Sequence, residues 1–135
     1  MTIRDSTLAH IHVSDVMHTG IITTDPTTPL RVVAQLMVDQ RVHAVAVADP
    51  DHVRRPLGFV TVTEVAAAAA ADIDETAGEA AATEVVTVPS CERLDTAAQI
   101  MVEHALNHLV VVDAVTGHPC GILSALDIAA AYAGA

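Results

Sequence analysis

The sequence repeats itself, and this repeat limits the folds that the chain can adopt. When the 135-residue sequence is shifted by 64 positions, AQLMVDQ at 34–40 matches AQIMVEH at 98–104. After one deletion in a turn, GFVTVTE at 58–64 also matches GILSALD at 121–127. Self-similarity over this length indicates that one structural unit is built twice. The fold must therefore contain two copies of the same arrangement of strands and helices.

Each copy predicts the same order of elements. Apolar residues at helical spacing start at Leu30 in the first copy and at Leu94 in the second, which predicts two amphipathic helices. Around them, β-branched and apolar runs bounded by turn formers predict strands. These strands cover 19–24, 44–48 and 58–62 in the first copy and 84–88, 109–113 and 121–123 in the second. Because an Ala-rich helix ends each copy, the sequence predicts a mixed α/β (α+β) fold with the order β-α-β-β-α twice.

The charge of the chain excludes one broad class of function. It contains no lysine, and its six arginines face 17 carboxylates, which gives a formal net charge of −11. Nucleic-acid binding requires clustered cations that displace counterions from the phosphates. We therefore expect no binding to DNA or RNA.

Cysteine usage and hydropathy predict where the protein resides. Cys91 and Cys120 are far apart and lack CxxC spacing, which indicates neither a disulfide framework nor a zinc knuckle and is typical of a reducing compartment. The first ten residues lack the apolar core of a signal peptide, and no apolar run is long enough to span a bilayer. We expect a soluble, cytoplasmic protein that is not attached to a membrane.

A motif of the form G-x-x-[ST]-x-x-[DE] occurs once in each copy. It is formed by Gly58, Thr61 and Glu64 and again by Gly121, Ser124 and Asp127. With HLVVVD at 108–113 and the matching helices and strands, it resembles the CBS domain, named after cystathionine β-synthase. The resemblance implies a stand-alone CBS domain protein with repeats at 13–72 and 77–132, after an N-terminal arm at 1–12. Two such repeats related by a pseudo-two-fold axis form one Bateman module.

Two interpretations of this motif are open. A strand that runs directly into a helix points unpaired backbone N–H groups at the space above its end. There, a hydroxyl can donate to a phosphate or ribose oxygen, and a carboxylate three positions later can accept from ribose hydroxyls. The same spacing is also that of a capping box, in which the two side chains satisfy amides of the first helical turn. At Glu64 the longer side chain would enter the space of a ribose, which favours capping there.

The resemblance implies ligand clefts between the two repeats and indicates their lining. One cleft would be lined by Ser124, Asp127, Ile122, Ile22, His43 and Ala44. A second, weaker one would be lined by Thr61, Glu64, Val86, Asn107 and His108. His108 stands where family members often place a basic residue over ligand phosphates, although a neutral histidine that merely begins a strand is the alternative.

The ligand that the resemblance implies contains adenosine, and AMP, ADP, ATP and S-adenosylmethionine are all candidates. A triphosphate would find no lysine and few arginines on this chain. The acidic sequence therefore favours AMP or the positively charged S-adenosylmethionine over ATP. The ligand would be regulatory, and no cofactor is required.

Two functions are consistent with these features. The first is a regulatory sensor that binds the adenosine ligand and signals to an unidentified partner protein such as an enzyme, channel or transporter. The second is a ligand-free structural module for dimerisation and protein interaction. Helix faces rich in Ala and Val predict a homodimer in both cases; the alternative is that these helices pack only within the monomer. We expect no enzymatic activity, because Cys120 lies beside Pro119 at the start of a strand, where it is more typical of core packing than of a nucleophile. We expect no metal site at His10, His12 and His18, because they have alternate spacing and no cysteine partner.

Overall fold

A computed structural model of the protein describes residues 7–49, 57–82 and 85–134, which form a mixed α/β fold. The chain divides into two compact units. Ile21–Val85 form the first, called here the contiguous unit, and Met1–Gly20 together with Val86–Ala135 form the second, called the split unit. In the described ranges, no helix combines the length and the apolar character needed to cross a membrane.

The elements follow the order that the repeat predicts. The first copy contains a 3₁₀ helix at Thr7–His10, α1 (Val13–Val16), β1 (His18–Thr19), β2 (Thr23–Thr24), α2 (Leu30–Gln40), β3 (Ala44–Val47), β4 (Gly58–Thr61) and α3 (Val62–Ala71). The second copy contains α4 (Ala77–Ala80), β5 (Thr87–Pro89), α5 (Leu94–His104), β6 (His108–Val112), β7 (Pro119–Ser124) and α6 (Ala125–Gly134). The predicted fold class and the β-α-β-β-α order are confirmed, with one correction to the first strand.

The prediction of a single strand at 19–24 is wrong, because Gly20 divides it. Gly20 has a φ of 87°, in the left-handed region that favours glycine. The strand before it, β1, pairs antiparallel with β7 in the split unit, and the strand after it, β2, pairs parallel with β3 in the contiguous unit. In the second copy the first strand is β5, and residue 84 of its predicted range lies outside the described residues.

Each unit combines the core of one copy with the leading segment of the other, which is the part of a copy that precedes β2 or β5. The split unit has a four-stranded sheet in the order β1-β7-β6-β5, in which β1 comes from the first copy. The contiguous unit has a three-stranded sheet in the order β2-β3-β4. There, an isolated bridge between Phe59 and Ala82 takes the place of the β1–β7 pair, and Ala82 leads into the second copy.

A close backbone approach explains why both motifs begin with glycine. A Cβ atom on Gly121 would lie 2.6 Å from the carbonyl oxygen of His18, and a Cβ atom on Gly58 would lie 2.5 Å from the carbonyl oxygen of Ala82. Side-chain carbons do not approach carbonyl oxygens so closely, so only glycine fits. The glycine of each copy therefore makes room for the leading segment of the other.

The two amphipathic helices bury equivalent positions. The buried residues are Leu30, Val33 and Met37 on α2 and Leu94, Ala97 and Met101 on α5. They pack with Val and Leu side chains of the strands in two separate apolar clusters, one in each unit. Val38 and Val102 fit the same helical spacing but are exposed.

The predicted N-terminal arm is partly packed into the split unit. Residues 1–6 lie outside the described residues. The 3₁₀ helix at Thr7–His10 packs on α5 and α6, and Leu8 is buried in the same cluster as Leu94. The Leu94 N–H also donates to the Ile11 carbonyl at 2.8 Å. This part of the arm is thus part of the core and not a loose extension.

Candidate functional site

The second-copy motif lies where β7 ends and α6 begins. Ser124 is the last residue of β7 and is buried, and Asp127 lies in the first turn of α6. The Ser124 N–H donates to Asp127 Oδ2 at 2.8 Å, and the Asp127 N–H donates to Ser124 Oγ at 3.1 Å. These reciprocal bonds form a capping box, which satisfies two backbone amides at the helix start. The cap uses Oδ2 of the carboxylate and leaves Oδ1 for another partner.

The second oxygen of Asp127 faces a histidine. His18 Nε2 lies 3.1 Å from Asp127 Oδ1, and the two side chains are 67% and 12% exposed. Strand β1 places His18 there, because its Cα pairs with Ile122, two residues before Ser124. The carboxylate therefore contacts a backbone amide with one oxygen and a largely exposed imidazole with the other.

The first-copy motif also forms a capping box but treats its carboxylate differently. Glu64 Oε1 accepts from both the N–H and the hydroxyl of Thr61, each at 2.8 Å. The Thr63 N–H donates to Thr61 Oγ1 at 3.2 Å. The longer side chain of Glu64 thus folds back onto the helix start, with both bonds to one oxygen. Ala82 takes the place in this unit that His18 takes in the split unit.

Three further predicted ligand residues of the split unit lie close to Ser124 in the sheet. His108 begins β6 directly opposite Ser124, and Ile122 is buried on β7. The carbonyl oxygen of Asn107 accepts from the N–H of Ala125 at 2.8 Å, so Asn107 adjoins the start of α6. Val86, also in this unit, precedes β5 and packs against the apolar cluster.

The predicted residues Ile22, His43 and Ala44 belong to the contiguous unit. Ala44 begins β3 opposite Thr61, and His43 precedes it. Ile22 precedes β2, and its carbonyl oxygen accepts from the N–H of Ala46 at 2.8 Å. Each motif therefore has the start of the adjacent strand beside it within its own unit. The predicted combination of residues from both copies around one ligand stays a prediction.

The sequence did not predict His18 as a neighbour of Asp127, since it was considered only as a metal ligand. The available signal was a difference between the copies. The leading segments align His18 with Ala82, so the histidine has no counterpart in the other copy. Such a difference indicates a separate role for the side chain, and the structure shows that this side chain faces Asp127.

The candidates for a nucleophile and for metal ligands can be located in the described ranges. Burial, and secondarily the Asp113 carboxylate, raises the pKa of the Cys120 thiol, which keeps it protonated and weakly nucleophilic. No group of three or more His, Cys, Asp or Glu side chains in these ranges could hold a metal ion. In the N-terminal histidine cluster, His12 Nδ1 lies 3.8 Å from Asp15 Oδ2.

A cavity of about 410 Å³ lies in the contiguous unit, away from the motifs. It is lined by residues of α2 and α3 and by the segment 72–75 that follows α3. None of the predicted ligand residues lines it. This cavity is therefore a feature distinct from the capped strand ends.

Comparison with known proteins connects these features to one family. The CBS domain model matches residues 13–71 and 74–134. No curated protein matches the chain in sequence.

Several solved structures have the same fold. The CBS domain pair of protein MJ0100, in complex with 5′-methylthioadenosine and S-adenosyl-L-methionine, is 22% identical with a TM-score of 0.80, covering 91% of this chain and 96% of that one. A CBS domain protein from Pyrobaculum aerophilum, complexed with AMP, is 26% identical with a TM-score of 0.77, covering 93% and 100%. Hypoxic Response Protein I, with two coordinated zinc ions, is 25% identical with a TM-score of 0.66, covering 88% and 97%. Because the family model matches both copies, the chain belongs to the CBS domain family, as a tandem pair of CBS repeats.

Proposed function

We propose that this CBS pair is a regulatory module that binds an adenosine-containing ligand through Ser124 and Asp127. The observation that carries the proposal is the Asp127 carboxylate, which is 12% exposed and has Oδ1 outside the helix cap. Ionised carboxylate oxygens accept several hydrogen bonds, so Oδ1 can accept from ribose hydroxyls while Oδ2 keeps the cap. Capping and ligand binding are therefore compatible at this residue.

The charges of the described residues support AMP or S-adenosylmethionine over ADP or ATP. Arg31 Nε lies 3.1 Å from Asp74 Oδ1. Arg93 Nη2 lies 2.6 Å from Asp95 Oδ2. Arginines held in local pairs are less available to a triphosphate. The Pyrobaculum aerophilum protein, 26% identical to this chain, was solved with AMP. This likeness supports the adenosine class of ligand.

The remaining predicted residues stay part of the proposal as ligand contacts. They are Ile122, Ile22, His43 and Ala44 for the Asp127 site and Thr61, Glu64, Val86, Asn107 and His108 for a second, weaker site. The capping geometry of Glu64 supports the weaker rank of that second site, because its bonded oxygen is already used twice within the helix start.

The module would signal to a partner protein. For this, the ligand must bind two conformations of the module with different affinity, and the partner must distinguish these conformations. Exposed apolar side chains on the helices, among them Val32, Val62 and Leu126, support a homodimer. The free thiols of Cys91 and Cys120 support a reducing, cytoplasmic location. We propose no enzymatic activity for the module.

The test is a thermal-melt panel of the protein against adenosine, AMP, ADP, ATP with and without Mg²⁺, NAD and S-adenosylmethionine. A ligand at about a hundred times its dissociation constant adds about 2.7 kcal/mol to the free energy of unfolding, or several degrees. We expect the largest shift with AMP or S-adenosylmethionine. Asp127→Ala should abolish the shift, and Glu64→Ala, the matched change in the other copy, should keep it.

The alternative function predicts a different outcome. In a ligand-free interaction module, no compound in the panel would raise the melting temperature. Asp127→Ala would then only lower the melt of the free protein, by the equivalent of about 1 kcal/mol for a lost helix cap. Zn²⁺ is added as a further arm, because Hypoxic Response Protein I was solved with zinc ions. A shift with Zn²⁺ alone would contradict the adenosine proposal.

A further inference from the structure

The cavity of the contiguous unit is a groove between α2 and α3, called here the α2–α3 groove. Leu30 and Ala34 of α2 and Val65 and Ala68 of α3 line it with apolar atoms. Leu30 and Ala68 are buried and form its floor. At about 410 Å³ it has room for a large side chain with its neighbours.

The repeat provides a filled counterpart of this groove in the split unit. There, α5 and α6 are the counterparts of α2 and α3, and Leu94 stands at the position of Leu30. The 3₁₀ helix at Thr7–His10 packs on both α5 and α6. Leu8, 7% exposed, belongs to the buried cluster that contains Leu94, and Ala131 of α6 packs against this cluster. A short helical turn that inserts a leucine therefore closes the counterpart.

The groove and its counterpart differ in the residues that precede the leading segment of each unit. The Leu30 N–H donates to the Glu75 carbonyl at 2.8 Å, just as the Leu94 N–H donates to the Ile11 carbonyl at 2.8 Å. Glu75 and Ile11 are thus equivalent. Before Ile11 comes the 3₁₀ helix, whereas only residues 72–74 separate Glu75 from the end of α3. Within the described ranges of the contiguous unit, no short helix precedes Glu75 to take the place that Leu8 fills in the split unit.

The rim of the α2–α3 groove is acidic. Asp72, Asp74 and Glu75 line it together with Arg31, whose Nε lies 3.1 Å from Asp74 Oδ1. Three carboxylates and one guanidinium give these lining residues a formal charge of −2. The C-terminal end of α3 and the N-terminal end of α2 both lie at this rim, and their dipole ends are opposite in sign, so the side-chain carboxylates set its net charge. An acidic rim favours an occupant with basic side chains, and this chain itself offers few of them, since it has six arginines and no lysine.

We propose that the α2–α3 groove binds a short helical segment of another protein, which inserts an aliphatic side chain in the way Leu8 fills the counterpart and carries Lys or Arg beside it. The apolar floor binds the aliphatic anchor, and the carboxylates of the rim attract the basic flanks. This surface gives a chemical class to the partner in the proposed function. It does not require nucleotide, so its test and the nucleotide panel fail independently.

The test uses the full chain and a peptide probe based on the segment that fills the counterpart of the groove in the split unit. The probe is a fluorescein-labelled peptide with the sequence of residues 7–12, TLAHIH, flanked on each side by two added lysines. The control peptide has serine in place of the leucine. Fluorescence anisotropy without nucleotide should show saturable binding of the probe with a dissociation constant below about 0.5 mM, and binding of the serine peptide at least about tenfold weaker.

Two matched pairs of variants locate the binding. Ala34→Leu fills the groove and should weaken binding at least about tenfold, whereas Ala66→Leu, on α3 outside the groove, should stay within about twofold. Asp72→Asn combined with Glu75→Gln should weaken binding about three- to tenfold in 50 mM salt and less in 300 mM salt. Asp39→Asn combined with Glu103→Gln removes two exposed carboxylates elsewhere and should have a smaller effect.

Three results would overturn the proposal. The first is no saturable binding of the probe, and the second is binding that Ala34→Leu leaves unchanged. The third is a dimer in analytical ultracentrifugation that Ala34→Leu dissociates and Ala66→Leu does not, because the occupant would then be a second copy of this chain.

Discussion

The two capped strand ends have the same backbone plan and different side chains around it. In both units a glycine admits the leading segment of the other copy, and a hydroxyl residue caps the following helix. The carboxylates differ, since Asp127 keeps one oxygen outside its cap and faces His18, whereas Glu64 folds back onto Thr61 where the leading segment has Ala82. Duplication thus preserves what the backbone requires and leaves the chemistry of each copy free to diverge.

The shared backbone plan can be broken by adding one carbon atom. Gly121→Ala and Gly58→Ala should each lower the free energy of unfolding by about 2–3 kcal/mol, because the new Cβ meets a carbonyl oxygen at 2.6 Å or 2.5 Å. Chemical denaturation would measure both. Gly134→Ala is the control, since a Cβ there meets no atom within 4 Å. A mild effect of one substitution and a severe effect of the other would show that the two approaches are not equivalent.

Removing His18 tests whether the difference between the two carboxylates affects ligand affinity. If an adenosine ligand uses Asp127 Oδ1, it competes with the His18 contact, and a side-chain contact of this kind, with one partner largely exposed, is worth about 0.2–1 kcal/mol. His18→Ala should therefore tighten AMP binding by up to about fivefold in calorimetry. Ala82→His is the matched change beside Glu64, and it should leave AMP affinity within about twofold. Weaker binding by His18→Ala would mean instead that the imidazole contacts the ligand.

The smallest expected effect concerns the leading helix of the second copy. The N–H of Thr76 and then its hydroxyl, donating to Glu79 at 3.1 Å and 3.0 Å, lower the pKa of the Glu79 carboxyl from 4.5. A carboxyl whose pKa is lower in the folded state stabilises the fold above its unfolded pKa, and this contribution is lost as the pH falls through the folded pKa.

Glu79→Gln should therefore lower the melting temperature slightly at pH 6–7, and the difference from the parent protein should shrink as the pH falls below about 4.5. Glu103→Gln, which removes an exposed carboxylate of α5, is the control. A deficit that stays constant down to pH 3 would contradict the assignment of this effect to the ionised cap.

The sequence predicted the repeated elements well because local patterns encode them. The spacing from Leu30 and Leu94 and the buried runs in β3 and β6 act within a few residues. It did not predict the split at Gly20, because the β-branched residues on both sides fit one strand equally well. Which sheet each side joins depends on pairing with distant strands.

The same limit applied to the site. The motif spacing predicted the capping bonds of Ser124 and Asp127, which are local, and left ligand binding as an alternative. The contact of His18 with Asp127 joins residues far apart in the sequence, and no local pattern encodes it. The open groove could be found only once the packing of Leu8 was known.

The division into a contiguous and a split unit has a consequence for synthesis on the ribosome. The contiguous unit has all its residues once position 85 has left the exit tunnel, and domains generally fold as units from the N-terminal side. Strand β1 cannot follow that order, because it pairs with β7, which is made only after the whole contiguous unit. Leu8 and its neighbours must therefore wait for the second copy before they are buried, and during that interval they are available to chaperones.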